Sequence, residues 1–260
     1  MSTVAALRSL VENGIAKRFD LVRWAAASAC DAGPSARHRL EHLFAQARPD
    51  VLKLLVMESL VDTPLELAET SVYGETTLDS FLDFLNARCE GLARERGGGG
   101  DDGDEAAASG TGRGPLTFYD LGSGAGKSVM TAALSPYFGA CHGIEMLPVA
   151  HAIAEALVED FHSGVSPRDD GTRPEVSVRA GDIFLDTAWV DADVAFCNCV
   201  TWDDQTMARL ALEAARMRPG SLFITVLAPL ESDAFDVVAE DELDFSWGVV
   251  EAIVHRRKSF

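Results

Sequence analysis

The stretch Thr117–Ser128, TFYDLGSGAGKS, decides how this chain is to be read. An apolar run ends in Asp120 and tips into alternating glycines at 122, 124 and 126, a turn that lets backbone come close to a ligand. At least three ligand classes use such a turn. A nucleotide P-loop would need glycine at 121, where Leu121 stands, although Gly126, Lys127 and Ser128 imitate its end. A dinucleotide fingerprint would need glycine at 127, which is Lys127.

What remains is D-x-G-x-G-x-G with the acid at the strand end. An aspartate there repels a pyrophosphate, yet it accepts from an ammonium group or lies beside a sulfonium cation. S-adenosylmethionine carries both cations. The glycines admit its amino-acid half, and a helix starting near Lys127 offers its N-terminus to the carboxylate. Lys127 also reads as a helix-start residue whose charge faces solvent.

Two more acids extend the pattern. HGIE ends a second predicted strand and places Glu145 nineteen residues beyond Gly126, where ribose hydroxyls would sit. In AGDIF, Asp182 follows a third short strand and can accept from an adenine amine while Ile183 packs on the ring. One acid alone is more often solvated surface than ligand. Three at successive strand ends point to a class I, Rossmann-like, seven-stranded S-adenosylmethionine-dependent methyltransferase sheet.

The surroundings fit that α/β class. Strands are expected at Leu116–Leu121, 140–145, 176–179, 194–198 and 221–227, with a last one at 249–255. Helices fall between them at 127–134, 148–161 and 203–217. Upstream, apolar residues spaced by three and four (Leu7, Leu10, Val11; Leu40, Leu43, Phe44) predict an N-terminal helical subdomain over 1–70, with the methyltransferase domain over 71–260. In CDAGPSAR (30–37), Gly33 and Pro34 break one helix and Ser35 can cap the next. A helix follows from Thr77 to about Ala93. Then RERGGGGDDGDEAAASGTGRG, residues 94–114, lacks an apolar face and reads as a flexible Gly/Asp-rich insertion.

Composition narrows the partners. A formal net charge of −19 argues against a surface that binds nucleic acid as a whole and suits a basic partner. The apolar runs are too short to span a bilayer, and the N-terminus reads as a structural helix rather than a signal peptide. Five cysteines without C-x-x-C spacing indicate reduced thiols, hence cytosol or nucleus, and no zinc site.

Upstream lies SVYGETTLDSFLDF (71–84) and downstream AFCNCVTW (195–202). With these beside D-L-G-S-G-x-G, the sequence resembles the disruptor-of-telomeric-silencing (Dot1-like) histone-lysine methyltransferases, and most closely compact, trypanosomatid-type members. The resemblance covers about Val72–Phe260. It implies a nuclear, monomeric enzyme that methylates a lysine in the globular core of histone H3 on nucleosomes, with weak or indirect DNA contact. It implies that Tyr73, Gly74, Glu75 and Thr76 fold over the cofactor. It further implies that Phe118, Tyr119, Asp120, Leu121, Gly122, Ser123, Gly124, Ala125, Gly126 and Lys127 cradle methionine, that Glu145 takes the ribose, and that Asp182 and Ile183 take the adenine. Asn198, with Thr76, takes the catalytic place beside the methyl group and the incoming amine, and Trp202 and Trp247 wall the lysine channel. Against the family pattern, Cys199 and Val200 stand where a second asparagine and aromatic residues are usual, a tyrosine is missing near Ala252, and only HRRK (255–258) is basic. The alternative acceptor is a non-histone protein or a small molecule.

Other conspicuous residues have plainer roles. His38 and His42 read as surface or interface histidines, Trp24 and Trp189 as core, and Cys197 and Cys199 as buried, inert thiols.

Overall fold

The computed structural model describes residues 35–46, 75–97 and 114–259. The helices expected before Ser35, Trp24, Cys30, the Tyr73–Gly74 part of the signature and most of the glycine-rich insertion lie outside the described residues.

Helix α1 (Ala36–Gln46) starts where the Gly-Pro break ends. Ser35 caps it as expected, its Oγ accepting the His38 N–H at 3.2 Å. Helix α2 (Leu78–Gly97) outlasts its expected end at Ala93. Arg94 pairs with Glu90 one turn back, and Arg96 reaches Asp193, so the chain stays helical through the first residues of the expected insertion.

The alternating pattern then forms β1 (Leu116–Leu121), α3 (Lys127–Ala132), β2 (Phe138–Glu145), α4 (Pro148–Asp160), β3 (Glu175–Ala180) and β4 (Val194–Cys197). It continues with α5 (Asp204–Ala214), β5 (Leu222–Val226), β6 (Phe235–Phe245) and β7 (Gly248–Arg257). The seven strands lie in the order β3-β2-β1-β4-β5-β7-β6. All pairings from β3 to β5 are parallel, and β7 runs antiparallel to β5 and β6. Strand order reverses between β1 and β4, and ligands of open α/β sheets bind in the crevice at such a switch point.

Each face of the sheet is covered. Phe118, Phe138, Phe196 and Ile224 pack beneath α1 to α4, while Tyr119, Leu121, Ala195 and Phe223 pack with Trp189 and α5 on the other side. Leu40 and Leu43 of α1 join the first of these cores.

The sequence expectation contained one strand after Val226, and the chain has two. Strand β6 carries Asp236, Glu240, Asp241, Glu242 and Asp244, which make it resemble a polar loop. It occupies the sheet edge, where charges on an exposed strand disfavour pairing with another chain. Only Phe235, Leu243 and Phe245 of this strand are buried.

Candidate active site

The carboxyl ends of β1, β2 and β4 converge on one cavity, together with the turn after β3. Its wall includes Asp120, Leu121, Gly122, Ser123, Gly124, Ala125, Lys127, Glu145, Asp182, Ile183, Asn198 and Trp202. Glu75 and Thr76 close it from the side. Phe184, Phe196 and Phe245 supply apolar surface.

Register explains the convergence. Asp120 sits opposite Gly143 of β2 and Phe196 of β4, so its side chain emerges at the point where the strand order reverses. The turn that follows holds Gly122, Gly124 and Gly126 at φ of +82°, +53° and +77°, a conformation that other residues adopt only with strain. A Cβ at Gly126 would stand in van der Waals contact with Ala154 and Val178 at 3.4 Å, so this glycine lies against α4 and β3 and does not face the cavity. Gly143 has a similar function that the sequence reading missed: a Cβ there would stand 2.5 Å from Ser123 Oγ.

The carboxylates are held in distinct ways. Asp120 is 2% exposed and accepts from the Ser128 hydroxyl. Burial pushes its pKa up to about 7, nearby Glu145 adds to the rise, and the Ser128 hydrogen bond opposes it. Glu145 accepts the Gly124 N–H at 2.7 Å through one oxygen and the Leu147 N–H at 2.7 Å through the other. Burial raises its pKa, against the pull of these backbone amides. Asp182 Oδ1 accepts from Phe184 N–H at 2.8 Å, which turns the chain so that Ile183 and Phe184 both line the cavity. Trp189, fully buried, donates its indole N–H to the Ile183 carbonyl at 2.8 Å and fixes that turn from behind.

Several expected contacts fall elsewhere. Phe118 and Tyr119 are not part of the cavity wall, because neighbouring strand residues point to opposite faces and each is committed to a core. Trp202 borders the cavity beside Phe184, with ring centroids 6.3 Å apart, and Arg209 lies 4.1 Å over the other ring. Trp247 is 48% exposed in the turn between β6 and β7, outside the cavity wall and 5.5 Å from Phe245. Lys127 does not face solvent: its side chain is 8% exposed and paired with Glu75. Cys197 and Cys199 are buried behind Asn198, and burial raises the Cys197 thiol well above its ordinary range. No group of three or more His, Cys, Asp or Glu side chains is arranged to hold a metal ion among the described residues.

The donor set fits S-adenosylmethionine. Acids at three successive strand ends face one cavity, and Lys127, the cation in its wall among the described residues, is already neutralised by Glu75. Such a wall attracts a ligand bearing sulfonium and ammonium charge. When bound, that cofactor supplies a methyl group activated on positively charged sulfur.

No match was found among curated protein sequences. Among solved structures, the chain is similar to a putative methyltransferase, yhhF, from Escherichia coli (12% identity, 70% of this chain and 87% of that one, TM-score 0.46). It is also similar to a SAM-dependent methyltransferase from Methanosarcina mazei (15%, 57% and 95%, TM-score 0.42). A third similarity is to TrmN from Thermus thermophilus (15%, 55% and 44%, TM-score 0.43). The sequence pattern of the family described as "Histone methylation protein DOT1" matches residues 114–246, just over half of the chain, from the strand before the glycine turn to the end of β6. The protein is therefore an S-adenosylmethionine-dependent methyltransferase that belongs to the DOT1 histone methylation family.

Proposed function

We propose that this enzyme transfers a methyl group to a lysine in the globular core of histone H3, the lysine-79-type site, on nucleosomes in the nucleus. The observation that carries this reading is Asn198, which follows β4 and borders the same cavity as Asp120, Glu145 and Asp182 within the family-matched segment.

Methyl transfer to an amine is an in-line displacement, so most of the work is positioning. Asp120, Gly122 to Ala125, Glu145, Asp182 and Ile183 hold the cofactor. Asn198 and Thr76 face the incoming amine, Asn198 through an amide oxygen able to accept one of its N–H groups. A lysine of ordinary pKa ~10.4 must first lose a proton, and the apolar surface of Phe245 disfavours its charged form, while Trp202, expected in the lysine channel, packs beside Phe184 at the adenine end instead. Trp247 flanks Phe245 on the outer side, where an aliphatic lysine stem would pass. A net charge of −19 suits direct contact with basic histone surface and predicts weak contact with DNA. The enzyme acts as a monomer.

Mass spectrometry of nucleosomes and of free histone H3, each incubated with cofactor and either the native protein or Asn198→Ala, tests this. A core lysine methylated on nucleosomes by the native protein alone is the expected result. Turnover on a small molecule with none on either histone substrate would sink it.

A further inference from the structure

Lys127 and Glu75 are 52 residues apart and form an ion pair in the cavity wall, with side chains only 8% and 13% exposed. The ammonium also lies 5.3 Å from the ring centroid of Phe44 on α1. Three segments distant in sequence thus meet at one charge: α1, the start of α3, and the strap of residues 75–77.

The strap has a second attachment. Thr77 N–H donates to the Asp244 carbonyl at 2.8 Å, Ser246 N–H donates to the Glu75 carbonyl at 2.8 Å, and Thr76 bridges Phe245 in antiparallel fashion. One side of the strap is therefore stitched to the end of β6, and the side chain of Glu75 is anchored across the cavity to Lys127. Removing one partner of a buried pair leaves the other charge uncompensated, so the anchoring depends on both residues.

We propose that Lys127 is a positioning residue: through Glu75 it clamps the 75–77 strap against the cofactor turn and keeps Thr76 in the cavity wall. The proposal rests on the cofactor-site reading above and adds to it a division of labour. Lys127 acts on the strap, and the acids act on the cofactor.

Two measurements test it. Hydrogen exchange at the Thr77 and Ser246 amides, followed by NMR in the protein without cofactor, reports the strap directly. Lys127→Met and Glu75→Gln should each speed exchange there by on the order of tenfold while leaving the amides of β1 unchanged, and Lys127→Arg should keep the native rates. Calorimetric titration with S-adenosylmethionine should show each single variant weakened on the order of tenfold, and the double variant no weaker than either. Unchanged exchange in both single variants would overturn the proposal. So would losses that multiply in the double variant, since Lys127 would then contact the cofactor itself. Should Lys127→Met fail to fold, Glu75→Gln carries the same comparison. Failure of the native protein to bind the cofactor would overturn the cofactor-site reading, whereas unchanged exchange, measured without cofactor, would overturn the clamp alone, so the two failures are told apart.

Discussion

Glu145, at the tip of β2, accepts the amide of Gly124 at 2.7 Å, so one strand end holds in place the turn that follows another. The second oxygen of the same carboxylate fixes the start of α4 through Leu147. Glu145 is thus structural in the free protein as well as part of the cavity wall.

Glu145→Ala should therefore lower stability as well as cofactor affinity. It leaves two backbone amides without their acceptor, and each buried donor so stranded costs about 1–3 kcal/mol. Thermal unfolding should show a clear drop in midpoint. An unaltered midpoint would mean that the turn keeps its shape without this carboxylate.

Asp120 predicts a pH dependence with a definite sign. With its pKa raised to about 7, the folded protein keeps a proton that the unfolded chain releases near pH 4. Stability of the free protein should accordingly fall as pH rises from about 4 to about 7, then level off. A cationic ligand favours the ionised carboxylate, so cofactor binding below pH 7 should release a proton and strengthen with rising pH. Titrations in buffers of different ionisation enthalpy would measure the release, and Asp120→Asn should abolish it. A proton count of zero in the native protein at pH 6 would refute this account.

The two tryptophans should separate. Trp202→Ala removes the ring beside Phe184 at the Asp182–Ile183 end of the cavity and should weaken cofactor binding by about tenfold, the scale of one aromatic contact. Trp247→Ala, outside the cavity wall, should leave cofactor affinity within about twofold and raise the KM for the protein substrate instead. The reverse pattern would exchange their roles.

Which features were legible in the sequence follows from where they lie. Asp120, Glu145, Asp182 and Asn198 each come at or just after a short apolar run, so their place at a strand tip is information along one dimension of the chain. Contacts across the fold left no such trace. Nothing near Lys127 announces Glu75, nothing marks Ser128 as the partner of Asp120, and Trp189 resembles any core tryptophan although it anchors Ile183. Strand alternation was available and would have kept Phe118 and Tyr119 from facing the same ligand. Strand β6 hid behind its acidic edge residues. With it went the partner of the strap and the role of Phe245 in the cavity wall.

Helix α2 leaves the cleft at Thr77 and ends beside Asp193, the residue that precedes β4 and also receives the Thr117 amide at the opposite rim of the sheet. Pro115, where the chain comes back, lies against Gly139 on that same far rim. Arg96 and Pro115, the described residues that flank positions 98–113, therefore both lie at the rim of the sheet opposite the cavity. A tag or surface tether inserted between these two anchors is therefore expected to leave cofactor titration unchanged.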